Sequence, residues 1–423
     1  MRHVIVGAGP AGVIAAEHLR KCDPDCEIKL IGAEPEPPYS RMAIPYLLSG
    51  QIDETGTYLR KRQDHYEHLG ISLLQGQVTG VDPVSKTVSL ADGSSLPFEK
   101  LLIATGASPI SPPIAGLEHD GVHACWTLAD ARRIAARTGK GKAIVLIGAG
   151  FIGSIILEAL AETGAKLTVV EVGDRMVPRM LNETAGLMLQ QWCESRGVNV
   201  CVASSAQAIE GSDRGPPLRV LLDGGRYLDA DLVITATGVV SNIAFLAGSG
   251  IDTERGVLVD DYLATSQPDI YAAGDAAQGR DFSTGEFVVQ AIQPTAVEHG
   301  RIAAISMARG HLHAHAGTVN MNVLDTLGLV STSFARWMGV DGGDCAEVKD
   351  AGRFRYLNLQ FADDVLVGAT SVGMTDHIGV LRGLIQSRTR LGGWKKRLAA
   401  DPTRLMEAYL ATTLPVGYNA SVT

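Results

Sequence analysis

The sequence predicts an α/β fold: two parallel-sheet domains of one design, followed by a small α+β domain. Three observations carry that expectation. A strand-type apolar run that breaks into spaced glycines and then a helix occurs twice, at residues 3–20 and again at 142–162. Three further apolar runs have the length and composition of strands buried on both faces of a parallel sheet. Beyond residue 316 the pattern changes to a hairpin and a short helix.

The first unit reads His3-Val-Ile-Val-Gly7-Ala-Gly9-Pro-Ala-Gly12, with a helix from Val13 to Arg20. Each glycine has a separate task in a dinucleotide fold: Gly7 allows a tight turn, Gly9 lets backbone approach a pyrophosphate, and Gly12 lets helix and strand pack closely. The helix start offers free N–H groups and a positive dipole end to phosphate. A second strand, Glu27–Ile31, leads to Glu34, 22 residues beyond Gly12. A carboxylate at that distance grips a ribose diol. A lone glycine fingerprint is weak; strand, helix and acid in register make it specific.

The second unit reads Lys142-Ala-Ile-Val-Leu-Ile-Gly148-Ala-Gly150-Phe-Ile-Gly153, with a helix to Glu162 and a strand from Lys166 to Val170. Glu171 follows, 18 residues past Gly153. It accepts a ribose 2′-OH and repels a 2′-phosphate, which favours NADH over NADPH; Arg175 nearby softens that preference. The three remaining runs are Lys100–Ala104, ending in Thr105-Gly106; Asp231–Ala236, ending in Thr237-Gly238; and Asp269–Ala273, ending in Gly274-Asp275. Ligands of open α/β sheets lie beyond the carboxyl ends of strands, so Asp275 is placed for a polar cofactor.

Length and composition narrow the class. The 423 residues suffice for two or three domains, and 46% hydrophobic with 20% charged residues is ordinary globular usage. A net charge of −9 argues against sequence-independent binding to nucleic acid or anionic membrane. No apolar run approaches the roughly 20 residues that span a bilayer. The first strand begins at His3, which leaves no room for a signal peptide, so a cytoplasmic location is expected. None of the six cysteines forms a paired CxxC set for zinc or an iron–sulfur cluster. Cys22 and Cys26, either side of Asp23-Pro24-Asp25, are expected as free thiols.

Together, the two GxGxxG units, the Thr-Gly strand ends and the late Gly274-Asp275 resemble the two-dinucleotide flavoprotein reductases, the pyridine nucleotide-disulfide oxidoreductase superfamily, over nearly the whole chain. The resemblance implies two Rossmann-like FAD- and NAD-binding domains plus a small α+β C-terminal domain. It implies a discontinuous FAD-binding domain at 1–112 and 243–315, an NAD(P)H-binding domain at 113–242 and an interface domain at 316–423. FAD would be held by Gly7, Gly9, Gly12, Glu34, Arg41, Thr105, Gly106, Gly274, Asp275 and Thr295. NAD(H) would be held by Gly148, Gly150, Gly153, Glu171 and Gly238. The segment Gln293–Gly300 is similar to the family's helix start beneath the flavin ring.

Pro37-Pro38-Tyr39-Ser40-Arg41 and Ile44–Gly50 resemble one branch, the NADH:rubredoxin reductases and the flavin module of assimilatory nitrite reductases. There the basic residue lies against FAD, a role that falls to Arg41. The tail is similar too, with a hairpin at Phe354–Phe361 and Val365–Thr370 and a helix at His377–Gln386. A complete nitrite reductase is excluded by length and by the missing cluster cysteines. The branch implies an FAD-dependent oxidoreductase that takes hydride from NAD(P)H, with NADH preferred. Electrons would pass directly from flavin to a small acidic carrier protein, a rubredoxin or ferredoxin. No acid–base residue is required for that. The C-terminal domain suggests a homodimer contact.

Two departures matter. The redox cysteine of the disulfide reductases and peroxidases falls near Met42, and no cysteine occurs between Cys26 and Cys125, so no thiol relay is expected. The family's GxGxIGxE glutamate is replaced by Ile155, and its lysine partner falls at Tyr46, which gives the nicotinamide an apolar wall. Losing both charges together leaves neither buried alone. Two alternatives follow: an NADH oxidase, or a non-catalytic flavin-binding subunit of a larger redox complex with a drifted nicotinamide site. His311, His313 and His315 read as a solvated linker, Asp363-Asp364 as a hairpin turn, and Trp337 and Trp394 as packing residues. Arg382, Arg388, Arg390, Lys395, Lys396, Arg397 and Arg404 gather in an otherwise acidic chain, as an ordinary solvated face or as a docking patch for an acidic carrier.

Overall fold

In the computed structural model, residues 1–213 and 215–413 are described; residues 414–423, the end of the expected C-terminal domain, lie outside them. The chain forms two compact units, one of residues 1–111, 126–133 and 238–318, the other of 112–125, 134–237 and 319–423.

The first unit is built on five parallel strands in the order Ile270–Ala272, Lys100–Ile103, Arg2–Val6, Glu27–Gly32, Ile71–Gln75. The chain runs from Arg2–Val6 to one side and returns on the other, so the order reverses beside the first strand. Ile5, Leu30, Leu101, Leu102 and Ile103 are fully buried, as a parallel sheet covered on both faces requires. Helix Pro10–Cys22 packs on helix Gln293–Arg309. Gly300 makes that approach possible, since a Cβ there would lie 2.3 Å from the Ala11 carbonyl oxygen. A second, three-stranded antiparallel sheet, Val78–Asp82, Thr87–Leu90 and Ser95–Pro97, completes the unit's first half.

The second unit repeats the design. Its parallel sheet runs Asn199–Cys201, Lys166–Val170, Ala143–Ile147, Leu232–Thr235, Val122–Ala124, again reversing beside the strand that enters the glycine turn. The tail adds a five-stranded antiparallel sheet and three helices. Strands Arg355–Ala362 and Val365–Val372 form the expected hairpin around Asp363-Asp364, and helix Ile378–Ser387 follows. Helix Glu183–Ser195 ties this sheet to the nucleotide-type domain: Asn182 Nδ2 donates to Tyr356 OH at 2.9 Å, and Trp192 Nε1 donates to the Thr326 carbonyl at 3.1 Å.

One expectation is corrected. Of the three alternating histidines, His311 and His313 are exposed, as a solvated linker requires, but His315 is not. His311 stacks on Tyr262 with centroids 4.4 Å apart, and His315 is 3% exposed, edge-on to the buried His299 at 4.7 Å. The His315 backbone N–H bonds the Asp261 carbonyl at 2.6 Å, which draws the segment into the fold. All six cysteines are unbridged. Among the described residues no helix is long and apolar enough to cross a membrane.

Candidate functional site: two glycine cradles

Each unit places a glycine turn at the carboxyl end of its central strand, where the strand order reverses, the position at which open α/β sheets bind ligands. In the first, Gly7 adopts φ +116°, and a Cβ there would fall 2.0 Å from the Ala104 carbonyl oxygen. A Cβ on Gly12 would fall 1.9 Å from the Gly7 carbonyl oxygen. Between them a Cβ on Gly9 would meet nothing within 4 Å. Two glycines are thus closed by backbone and one faces open space.

The second unit shows the same sequence of contacts. Gly148 has φ +106° and a Cβ would lie 2.5 Å from the Ala236 oxygen; at Gly153 it would lie 2.1 Å from the Gly148 oxygen; at Gly150 it would meet nothing. Both following helices, Pro10–Cys22 and Phe151–Glu162, begin without a side-chain cap and without an acidic residue in the first turn. Helix Gln293–Arg309 begins the same way, and the buried Thr295 hydroxyl in its first turn has no hydrogen-bond partner among the described residues. Uncapped positive helix ends beside open glycines suit the phosphates of a dinucleotide.

Glu34 and Arg41 are brought together. Arg41 Nη2 meets Glu34 Oε1 at 2.6 Å, Tyr39 OH donates to Glu34 Oε2 at 2.5 Å, and Arg41 Nη1 donates to the Trp126 carbonyl at 2.7 Å. The guanidinium also lies 5.3 Å from the centre of the Trp126 ring. Asp275 follows strand Ile270–Ala272 in a single 3₁₀ turn. Burial pushes its carboxyl up to about 6, with Arg41 pulling the other way. Its carbonyl accepts from Ser241 Oγ at 2.6 Å. Gly274 has φ +68° and closes on Ala11 and Ala296.

Thr105 and Gly106 are held by Asn242. The Thr105 hydroxyl donates to the Asn242 carbonyl at 2.7 Å, and Asn242 Nδ2 returns a bond to the Thr105 carbonyl at 3.0 Å. Gly238, at φ +119°, accepts from the Ile110 N–H at 2.9 Å. In the second unit Glu171 is 7% exposed and accepts the N–H groups of Ala149 and Gly173, both at 2.7 Å. Arg175 is directed to the Leu181 carbonyl at 3.1 Å and Asp174 at 2.6 Å. Ile155 is half-buried in its helix, and Tyr46 is 54% exposed on the short helix Ile44–Leu48. No sequence pattern marks Trp126, Ser241 or Asn242 as site residues, and Tyr39 shows only as part of the Pro37–Arg41 segment.

The sequence pattern of the pyridine nucleotide-disulphide oxidoreductase family matches residues 1–308. The NADH-dependent phenylglyoxylate dehydrogenase subunit epsilon of Aromatoleum evansii is 31% identical over 414 residues, covering 97% of this chain and 98% of its own. The rubredoxin-NAD(+) reductase of Pseudomonas putida is 31% identical over 309 residues, covering 73% of this chain and 80% of its own. In fold, the chain is similar to putidaredoxin reductase in its covalent complex with putidaredoxin, with a TM-score of 0.89 at 23% identity over 98% of this chain and 99% of that one. The chain therefore belongs to the pyridine nucleotide-disulphide oxidoreductase family and is an FAD-dependent NAD(P)H oxidoreductase.

Proposed function

We propose that the chain uses NADH to reduce its flavin and delivers the electrons directly to a small acidic electron-carrier protein. The observation that carries this reading is the duplicated closed–open–closed glycine cradle, each copy with a carboxylate-bearing strand end after it. When bound, FAD takes hydride from the nicotinamide and releases electrons singly or in pairs. In this reading Gly9 admits the FAD pyrophosphate, Asp275 and the Thr295 hydroxyl meet its polar middle, and Glu34 with Arg41 faces the adenosine end. Gly150 admits the pyrophosphate of NADH, and Glu171 takes its ribose diol. Arg175 is already committed to Leu181 and Asp174, so it does not neutralise Glu171 toward a 2′-phosphate. Ile155 supplies an apolar wall to the nicotinamide. With Met42 where relatives carry a redox thiol, no cysteine relay stands beside the flavin.

Rubredoxin and putidaredoxin, named with two of the relatives, are the carrier class this reading adopts. A second reading is favoured by the full-length match to the epsilon subunit: the same chain as the NADH-reacting subunit of a larger oxidoreductase. Anaerobic addition of NADH to the yellow protein tests the proposal. Loss of the flavin's visible absorbance, restored by an added rubredoxin or ferredoxin, is the expected result. Fast restoration by air alone would instead mark an NADH oxidase. No loss with NADH or NADPH would overturn the proposal in favour of a flavin-binding subunit.

A further inference from the structure

We propose that His3, Asp23 and Cys26 form a zinc-binding site at the end of the first sheet away from its glycine cradle. His3 opens the central strand, Asp23 follows helix Pro10–Cys22, and Cys26 immediately precedes strand Glu27–Gly32. The fold thereby gathers an imidazole nitrogen, a carboxylate oxygen and a thiol sulfur within 4.8 Å of one another. Zinc with bonds of about 2.0–2.3 Å holds tetrahedral ligands roughly 3.3–3.8 Å apart, so a contraction of about 1 Å completes the set. Asp23 lies in a connecting loop and is half-buried, which leaves its side chain the freedom to close.

His3 is the independent sign. It is 0% exposed, and neither ring nitrogen has a hydrogen-bond partner among the described residues, although buried polar atoms are nearly always satisfied. A histidine kept only for packing would offer its N–H to a carbonyl. The Cys26 thiol is buried beside it and donates to the Asp23 carbonyl at 3.0 Å, with Arg20 Nη1 at 4.0 Å. Nitrogen, sulfur and one carboxylate form a set of borderline softness, which suits zinc and not the all-oxygen shells of calcium or magnesium. Three protein ligands leave the fourth position to water on the Asp23 side. Zinc replaces the thiol proton, which leaves to solvent, and joins the first strand, the end of the first helix and the second strand. This site belongs to the framework and is independent of the redox reading.

The test uses the flavin-loaded chain, stripped with a chelator and titrated with Zn²⁺ or Co²⁺ alone. One ion per chain is expected, with a rise in the thermal midpoint. The cobalt form should show a thiolate charge-transfer band and tetrahedral d–d bands to the red of the flavin. Asp23→Asn, at the half-buried position, should keep flavin and lower affinity by more than the roughly 10–100-fold that losing an outer-shell partner costs. Cys26→Ala should abolish the charge-transfer band, and Cys345→Ser, at the exposed thiol, should leave binding unchanged. Flavin content reports folding in each variant. A yellow wild-type chain that binds neither ion, or Asp23→Asn and Cys26→Ala chains that bind as tightly as wild type, would overturn the site.

Discussion

A methyl group added at Gly9 projects into open space, whereas one added at Gly12 lies 1.9 Å from a carbonyl oxygen. Gly9 has φ −79° and ψ −173°, which alanine adopts freely. Gly9→Ala should therefore leave the flavin-free fold within about 1 kcal/mol of wild type. It should weaken FAD about ten-fold or more, the loss of one ~1.4 kcal/mol contact. Gly12→Ala should instead cost about 1–3 kcal/mol by overpacking helix on strand. Denaturation curves with and without FAD separate the two, and equal behaviour of the variants would refute the division of labour. Asp275 yields a second prediction at this scale. Its carboxyl is raised from 3.8 to about 6 by burial, so the fold prefers it protonated. The stability it contributes is complete below pH ~4 and is lost as pH rises through the folded value. In flavin-free protein the wild type should lose about 3 kcal/mol relative to Asp275→Asn between those limits, at 1.36 kcal/mol per unit. Parallel pH profiles of the two proteins would count against it.

Among elements, strand Lys166–Val170 and the helix ending at Glu162 fall at the residues their pattern indicates. An unbroken apolar run between glycine turns leaves little choice of structure. The site was less legible. Glycines announce themselves because only glycine fits where backbone closes in, but Trp126 reaches Arg41 across 85 residues and Asn242 reaches Thr105 across 137. No local pattern encodes such a pairing. Edge strand Ile71–Gln75 carries no such signal either, since it buries one residue and exposes three. The helix Glu183–Ser195 shows what an element boundary contributes. Asn182 Oδ1 accepts the Ala185 N–H at 3.0 Å as an N-cap, while its Nδ2 holds Tyr356 of the antiparallel sheet. Asn182→Ala should remove both and cost about 1–2 kcal/mol. Asn182→Asp keeps the cap and should recover more than half of that loss in urea titrations; equal losses would mean that the cap contributes nothing.

At the scale of the whole molecule the decisive property is charge. The chain carries −9 overall, so an acidic carrier approaching at random is repelled unless a local basic surface offsets that field. The structure divides the basic C-terminal residues into two groups. Lys395 is paired with Asp344 at 2.5 Å, Arg404 with Glu407, and Arg397 lies 4.5 Å from the Trp394 ring. Arg390 and Lys396 are exposed and make no ion pair with any described residue. A carboxylate already cancels Lys395 and Arg404, so the charge offered to a partner comes from residues without one, Arg390 and Lys396 among them. If that charge docks a carrier, electron transfer to an acidic ferredoxin should slow steeply as salt shortens the screening length from ~30 Å at 0.01 M to ~8 Å at physiological strength. Lys396→Glu and Arg390→Glu should flatten that dependence, and Lys395→Glu should flatten it less, because Asp344 already cancels that charge. Reduction of the flavin by NADH should be unchanged in all three, which separates docking from electron entry. The measurement is the carrier-reduction rate against ionic strength for each variant. A slope shared by wild type and Lys396→Glu would mean that this face is an ordinary solvated surface and that a carrier docks elsewhere.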